Sequence, residues 1–288
     1  MKKFKLMALI GAALAVSLLA LTACGGGQAQ NAPTSADTSA APAAAPAAEN
    51  AFIVGFDAEY PPYGFKDADG SYTGFDLDLA KAVCDMNGWE FEAKPIDWDG
   101  KDLELDSGNI TCIWNGFTRN DERENQYAWS EPYMLNEQVF VVSADSDITS
   151  YENMGGKKVV TQAASAAYGI LTDDEEHEAM QDMFDGGQVA TVPDYNTAFM
   201  QLESGAVDVV ACDLSIAAYQ MSQNPDKYVQ LAEPLNSEVY AVGFKLGNDE
   251  MAATVTESLK KLDADGTVQA LVEKYAEYGM DYSNWILK

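Results

Sequence analysis

The two arginines of this 288-residue chain, Arg119 and Arg123, lie four positions apart, and its other fifteen basic residues are lysines. A guanidinium is permanently charged and presents a planar pair of donors that matches a carboxylate in two-point contact, which an ammonium cannot do. One interpretation is that at least one arginine binds a carboxylate. The alternative is a solvated loop in which both pair with nearby acids such as Asp121, Glu122 and Glu124.

Strand and helix patterns alternate on both sides of this pair. The predicted strands lie at 51–56, 90–95, 110–114, 138–143, 158–161, 188–192, 207–212 and 239–244. One helix is predicted to begin at Asp76. Other helices are predicted at 100–107, 164–172, 195–204, 252–262 and 268–278. Two successive runs of strand, helix, strand, helix and strand predict an α/β protein of two lobes, each with a mostly parallel sheet flanked by helices.

Four loops are expected at the carboxyl ends of the parallel strands, where sheets of this kind place their ligand sites. They span 57–63, 115–123, 162–166 and 213–215. Both arginines fall in the second loop, which favours the binding interpretation for at least one of them.

The chain begins with a pattern typical of a secretory signal. Lys2, Lys3 and Lys5 precede an apolar run at 6–21, which is shorter than the roughly 20 residues of a stable membrane span. The following Leu21-Thr22-Ala23-Cys24 resembles the lipobox of bacterial lipoproteins, which implies cleavage before Cys24 and attachment of lipid, such as palmitate, to that cysteine. The alternative is an ordinary secretory signal with an incidental cysteine.

Residues 24–50 form a predicted tether, because 25–50 hold no aromatic residue and little else to bury. Twenty-six such residues have a root-mean-square reach of roughly 28 Å. Removal of 1–23 leaves 288 − 23 = 265 residues with 17 − 3 = 14 basic and 46 acidic side chains, a net charge of −32. That charge argues against binding to nucleic acid or to an anionic membrane surface, so contact with the membrane is expected through the lipid anchor only.

Other chemical signals favour structural roles. Cys84, Cys112 and Cys212 lack metal-ligand spacing and are expected to be small buried hydrophobes, with a Cys84–Cys112 disulfide left open. The acid-glycine segments at 67–70 and 263–266 fit turns better than calcium loops. His177 lies in an acidic, solvated segment, and Asp76 and Asp78 fit a helix cap and a first-turn acid. We therefore expect no metal site and no cofactor.

Several motifs in order resemble the extracellular solute-binding proteins of polar amino-acid ABC transporters, the bacterial solute-binding family 3. The motifs are Gly55-Phe56-Asp57 with Tyr60-Pro61-Pro62-Tyr63, Gly70-x-x-x-Gly74-Phe75-Asp76-x-Asp78-Leu79-Ala80, Asn115-Gly116-x-Thr118, Glu122-Arg123, Ser130-Glu131-Pro132-Tyr133, Gly156-Lys157-Lys158-Val159 with Gln162, and Val207-Asp208 with Asp213. The resemblance extends from Ala51 to about Trp285.

The resemblance implies a type II periplasmic-binding-protein fold, in which a two-strand hinge near Phe140 and Tyr240 joins the lobes. Lobe one is then discontinuous, at 51–142 plus 236–288, and lobe two spans 143–235. A free amino acid binds between the lobes, and closure of the lobes buries it. The implied partners are an ABC permease and its ATPase, and the protein is expected to act as a monomer on the extracellular face of the cell membrane.

The resemblance also implies a role for each site residue. Arg123 takes the α-carboxylate, supported by Thr118 and by Ser165. Asp213 takes the α-ammonium with help from the Gly116 carbonyl. Three residues meet the ligand side chain, with Tyr60 and Trp98 stacking on it and Asp57 at its polar end.

Two residues depart from the family pattern. Ala164 stands where the family often has glycine, and Ala166 stands where a second hydroxyl residue is common, so one hydrogen bond to the carboxylate is expected to be missing.

The acceptor Asp57 favours a polar or cationic side chain such as that of glutamine, lysine, arginine or histidine, with cystine left open. The alternatives are an enzyme on the same fold, of the cyclic-acid dehydratase or lytic transglycosylase type, and a ligand receptor for a signalling partner.

Overall fold

A computed structural model describes residues 50–173 and 179–288. The predicted signal peptide at 1–23, Cys24, all but the last residue of the tether, and His177 lie outside the described residues. Within the described ranges, no helix is both long enough and apolar enough to cross a membrane.

The described residues form short strands connected by helices. The strands are β1 (Ala51–Phe56), β2 (Glu59–Tyr60), β3 (Gly64–Lys66), β4 (Tyr72–Thr73), β5 (Glu90–Pro95), β6 (Cys112–Ile113), β7 (Thr118–Arg119), β8 (Ala128–Trp129), β9 (Met134–Ser143), β10 (Val159–Gln162), β11 (Ala190–Val192), β12 (Val209–Asp213), β13 (Tyr228–Gln230), β14 (Asn236–Tyr240) and β15 (Gly243–Phe244). The α-helices span Phe75–Asn87, Lys101–Asp106, Ala166–Asp173, Tyr195–Ser204, Leu214–Gln223, Asp249–Ala264 and Thr267–Lys274.

The first sheet has the strand order β5-β1-β6-β15-β8. β1 pairs in parallel with β5 and β6, whereas β15 is antiparallel to both β6 and β8. Phe52, Val54 and Phe56 alternate along β1 and are buried in one core cluster together with Phe75 and Leu79 of the following helix. This packing places the carboxyl ends of β1 and β6, and the loops that follow them, at one edge of the sheet.

The second sheet has the order β11-β10-β12-β9-β14-β7, and β13 also pairs with β9. Only β11, β10 and β12 run parallel, so the parallel part is smaller than predicted in this sheet. Along β12, Val210 and Cys212 pack into one core cluster, while Val209 and Ala211 pack into another. Both faces of this strand are covered, which explains its continuous apolar sequence.

Strands β9 and β14 lie where the chain passes between the two sheets. They pair from Asn236 with Gln138 to Tyr240 with Met134. Phe140, near which the hinge is predicted, pairs with Ala211 in the second sheet. The lobe boundaries 51–142 with 236–288, and 143–235, remain predictions.

Two local expectations were wrong. The strand predicted at 239–244 is interrupted, because the Ala241 amide donates to the Phe117 carbonyl and the Val242 amide donates to the Ser130 hydroxyl as the chain leaves one sheet for the other. Asp76 is not the helix cap; Gly74 holds that position, and Asp76 is fully buried.

The structure also distinguishes between the two interpretations of the cysteines. The disulfide left open between Cys84 and Cys112 is absent, since both thiols are free. The main expectation for Cys84, Cys112 and Cys212 is confirmed, because all three are buried in the core.

Candidate functional site

The four predicted loops meet at one place in the fold. The Gln162 side chain donates to the Asp57 carboxylate at 2.6 Å, and the Arg123 guanidinium donates to the Ala164 carbonyl at 3.2 Å. These contacts join the loops of the first sheet to a loop of the second. The edge where they meet is therefore the candidate site.

Arg123 and Arg119 have different surroundings. Arg119 donates through two nitrogens to the Glu124 carboxylate, at 2.8 and 2.7 Å. Arg123 is 8% exposed, lies 5.2 Å from the centroid of the Phe117 ring, and donates only to carbonyl oxygens, those of Thr118 and Ala164. No ion pair among the described residues includes Arg123. Arg119 therefore has the surface pairing, and Arg123 is the guanidinium without a carboxylate.

Thr118 and Gly116 lie beside Arg123 but are held by two buried acids. The Thr118 hydroxyl donates to Glu238 at 2.8 Å, and the Gly116 amide donates to Asp76 at 2.6 Å. The backbone of Gly116 is left-handed, with φ 55°, and a Cβ there would lie 3.1 Å from the Tyr60 ring. Both the conformation and the limited space favour glycine at this position.

Asp213 is the centre of a buried polar network. Its Oδ1 accepts hydrogen bonds from Asn136, Gln138 and Tyr240 at 2.9, 2.6 and 2.9 Å. The Tyr195 hydroxyl donates to the other oxygen at 3.3 Å. Burial and, to a smaller extent, the charge of Glu238 raise the pKa of Asp213 to about 6, against the lowering effect of its hydrogen bonds. The site therefore holds a carboxylate whose charged form would gain from an added cation.

Glu238 belongs to the same network, and sequence reasoning missed it. The amides of Asn136 and Gln138, which donate to Asp213, also donate to Glu238, both at 2.8 Å. The predicted late strand began one residue after Glu238. A usable signal was present, because Asn136 and Gln138 are polar residues two apart on a mostly buried strand and must share one face.

Asp57 lies at the other end of the site. It is 6% exposed and accepts from the Glu59 amide at 2.8 Å as well as from Gln162. Burial raises the pKa of Asp57 to about 6, against the lowering effect of these two hydrogen bonds. With Trp98, Asp57 lines a cleft of about 640 Å³ that also includes Pro193 and Asp194.

The two aromatic residues predicted to stack on the ligand lie in separate clusters. Tyr60 packs against Tyr63 and Tyr195, with ring centroids 6.2 and 6.0 Å apart. Trp98 packs edge-on against Phe117 at 5.6 Å. Trp98 lines the cleft that contains Asp57, whereas Tyr60 lies beside Gly116 and Tyr240.

Ser165 uses its hydroxyl locally. The hydroxyl accepts from the Tyr168 amide at 3.1 Å and lies 3.2 Å from the Thr161 hydroxyl, so it caps the helix Ala166–Asp173. The preceding Ala164 is the one non-glycine residue of the described ranges with a positive φ, at 55°. Glycine adopts this conformation without strain, which explains in physical terms why glycine suits that position.

The relatives of this chain by sequence include two named binding proteins. The L-cystine-binding protein TcyJ of Escherichia coli (strain K12) is 29% identical over 231 residues, covering 80% of this chain and 83% of that protein. The ABC transporter glutamine-binding protein GlnH of Bacillus subtilis (strain 168) is 29% identical over 280 residues, covering 96% of this chain and 97% of that protein.

Family and structural comparisons agree with these relatives. The family described as bacterial extracellular solute-binding proteins, family 3, matches residues 52–278. A substrate-binding protein of an ABC uptake transporter from Streptococcus pneumoniae, with bound histidine, aligns with a TM-score of 0.75 at 33% identity, covering 78% of this chain and 92% of that chain. The structural similarity confirms the predicted two-lobed α/β fold, and the matched residues include both sheets and all four loops.

Proposed function

Because the chain belongs to the bacterial extracellular solute-binding proteins of family 3, we propose that it binds an extracellular amino acid between its lobes and delivers it to an ABC permease. The observation that carries the proposal is the buried Arg123, which has no carboxylate partner among the described residues, at the same site as the hydrogen-bonded carboxylate Asp213. A free amino acid carries one negative and one positive group on the same carbon atom. Arg123 and Asp213 carry the charges opposite to those two groups.

The proposed contacts follow the charges. Arg123 takes the α-carboxylate as a two-point contact, with Thr118 and Ser165 beside it. Asp213 takes the α-ammonium with the Gly116 carbonyl, and Glu238 adds a second negative charge nearby. Tyr60 and Trp98 form walls for the ligand side chain, and Asp57 accepts a hydrogen bond from its polar end.

Burial of the ligand explains why both charged partners are needed. An isolated charge moved out of water costs several kcal/mol unless an opposite charge and hydrogen bonds compensate it. In this proposal the ligand shifts an equilibrium between open and closed lobes, and the closed, occupied form is the one that docks on the permease. No covalent bond changes, so the protein acts as a receptor and not as an enzyme.

Calorimetry tests this function directly. The protein, unfolded and refolded to remove carried-over ligand, is titrated with the twenty amino acids and cystine. We expect saturable binding of at least one of them, with the ligand recovered unchanged by mass spectrometry. Absence of binding to all of them contradicts the proposal, and recovery of an altered compound favours an enzyme on this fold.

The lipid anchor forms a separate part of the proposal. Leu-Thr-Ala-Cys at 21–24 supports cleavage before Cys24 and lipid attachment to it, which would hold a monomeric protein on the extracellular face of the cell membrane, beside the permease and its ATPase. The test is expression of the full chain in a bacterium with labelled palmitate. We expect label in the parent and none in Cys24→Ser, which should be released from the membrane fraction; equal labelling of both contradicts the anchor.

A further inference from the structure

Lys101 is a buried lysine that the proposed binding roles leave unused. It begins the helix Lys101–Asp106, directly after the turn that contains Trp98, and it is 4% exposed. Its ammonium lies 5.3 Å from the centroid of the Trp98 ring. Within the described part of the chain its ammonium makes no hydrogen bond and no ion pair, although the Lys101 backbone amide donates to the Trp98 carbonyl. The side chain is largely buried and its ammonium has no protein acceptor, so an acceptor brought by a ligand would stabilise it.

The Lys101 ammonium and the Arg123 guanidinium face the same cavity. This cavity, of about 250 Å³, is lined from the opposite side by Ala164, Ser165 and Tyr168. Burial and, to a smaller extent, the charge of Arg123 lower the pKa of Lys101 to about 8, so the ammonium form predominates at pH 7.

Acidic residues are near Lys101 but do not pair with it. Asp102 and Glu122 line the same cavity, and with Asp99 they favour the charged form of Lys101. None of the three lies within ion-pair distance of its ammonium, and Asp102 accepts instead from the Tyr127 hydroxyl. Neither cation of the cavity is therefore paired with a carboxylate of the described residues.

Trp98 links this cation to Asp57. Trp98 and Asp57 line the same cleft, while Lys101 lies on the Trp98 ring. A ligand side chain that rests on Trp98 would have the acceptor Asp57 on one side and the donor Lys101 on the other. Asp57 alone would favour any side chain with a donor, including lysine and arginine, but Lys101 repels a second cation.

We propose that Lys101 is a specificity-determining residue that selects ligands whose side chain offers an acceptor as well as a donor. This inference rests on the proposed amino-acid-binding function. Two kinds of side chain provide both groups: an amide, as in glutamine, and a second amino-acid head, as in cystine. Lysine and arginine provide donors only and are selected against.

The experiment compares four ligands on matched variants. Glutamine, cystine, lysine and arginine are titrated by calorimetry into the parent, Lys101→Met, Lys101→Arg and the control Lys261→Met, which removes an exposed lysine outside the site. We expect the parent to bind glutamine or cystine at least tenfold tighter than lysine or arginine, a ratio that Lys101→Met reduces at least tenfold. Lys101→Arg should keep most of the ratio, and Lys261→Met all of it. The relative affinities for glutamine and cystine show which of these side chains supplies the acceptor.

Each outcome bears on one proposal or the other. If the parent prefers lysine or arginine, or if Lys101→Met leaves the ratio unchanged, the role of Lys101 is refuted while amino-acid binding stands. If the parent binds no amino acid, the proposed function itself fails. Circular dichroism checks that Lys101→Met is folded. If Lys101→Met does not fold, Lys101→Gln, which keeps a polar side chain without the charge, replaces it in the same comparison.

Discussion

Arg119 and Arg123 carry the same functional group four residues apart, and their surroundings alone separate their roles. Arg119 has a two-point contact with Glu124, whose side chain is 45% exposed, so solvent weakens that pair. Arg123 has lost most of its water and has gained only two carbonyl acceptors, at 3.4 and 3.2 Å, and one aromatic face. A carboxylate that reaches Arg123 therefore gains more than one that reaches Arg119.

The first prediction compares the two arginines. Arg123→Ala should weaken binding of every amino-acid ligand by roughly 2–5 kcal/mol, the range for removing one partner of a buried charge pair. Arg119→Ala is the matched control and should change affinity by less than about 0.5 kcal/mol. Calorimetry with the ligand of highest affinity measures both. Equal effects of the two substitutions would remove Arg123 from the carboxylate site.

The second prediction concerns Asp57. Asp57→Ala should change the order of preference among ligands, because Asp57 is proposed to meet the side chain and not the α-ammonium. Ligands with side-chain donors should lose on the order of tenfold in affinity, while an aliphatic amino acid should lose little. The measurement is the ratio of dissociation constants for glutamine and leucine. A uniform loss across ligands would instead place Asp57 at the amino-acid head.

Residue types alone predicted a small part of this site, namely that at least one of the two arginines binds a carboxylate. The family resemblance was needed to assign roles to Arg123, Asp57 and Asp213. Lys101 could not be chosen, because lysine is common on surfaces, and the signal for Glu238 was indirect, through the polar pair Asn136 and Gln138. The burial of Lys101 and Glu238 depends on Trp98 and on strand β9, which are brought near them only by the tertiary fold.

At the scale of elements, the helix Phe75–Asn87 positions the site through its first turn. Its second residue, Asp76, accepts from the Gly116 amide and from the Tyr133 hydroxyl, which holds the loop before Thr118 in place. Burial raises the pKa of Asp76 to about 7, and these hydrogen bonds lower it in part. The sequence pattern located the helix but assigned Asp76 to its cap, since the pattern could not show that Gly116 lies against it.

Gly74, which precedes this helix, supplies the third prediction. Its φ is 141°, and a Cβ there would lie 2.2 Å from the Tyr63 carbonyl oxygen, a backbone atom that cannot rotate away. Gly74→Ala should reduce the free energy of unfolding by about 3 kcal/mol or more, because strain and a backbone clash add. Gly88→Ala is the control, with φ 70° and open space around the Cβ, and should cost about 1 kcal/mol. Urea denaturation measures both, and similar losses would contradict the clash.

Element boundaries were predictable where one pattern spans the whole element. The helix Tyr195–Ser204 was predicted to the residue, because Asp194 caps it and Gly205 ends it in a left-handed conformation. The interruption between β14 and β15 was not predictable, since the sequence at 239–244 is suited to a continuous strand. It arises because Tyr240 pairs with one sheet and Gly243 with the other.

At the scale of the whole molecule, the buried network connects the two strands that pass between the sheets. Asn136 and Gln138 of β9 bind both Glu238 of β14 and Asp213 at the end of β12. The proposed ammonium site is thus built on the strands near which the hinge between the lobes is predicted. Occupation of Asp213 by a cation would relieve its repulsion with Glu238, which links ligand charge to the stability of the closed form.

The protonation of buried acids gives the protein an expected dependence on pH. The pKa values of Asp57 and Asp213 are raised to about 6 and that of Asp76 to about 7, in each case mainly by burial. The unfolded chain releases these protons near pH 3.8, so between about pH 4 and 7 the folded state binds more protons than the unfolded state. Its stability must therefore fall as pH rises through that window. Exposed acids with lowered pKa values, such as Asp69 and Asp265, act in the opposite direction below that window.

The fourth prediction follows from this sign. Without ligand, the free energy of unfolding should decrease from pH 4.5 to pH 7.5 in urea denaturation. Repulsion within a chain of net charge −29 also lowers the free energy of unfolding as pH rises. The series is therefore repeated in 0.5 M salt, which screens repulsion between exposed charges but acts less on buried groups. The slope that persists in salt should be reduced in the double variant Asp57→Asn, Asp213→Asn, because two of the three titrating groups are gone. A free energy of unfolding that rises with pH across this window in salt would show that these carboxyl groups are not kept protonated by burial.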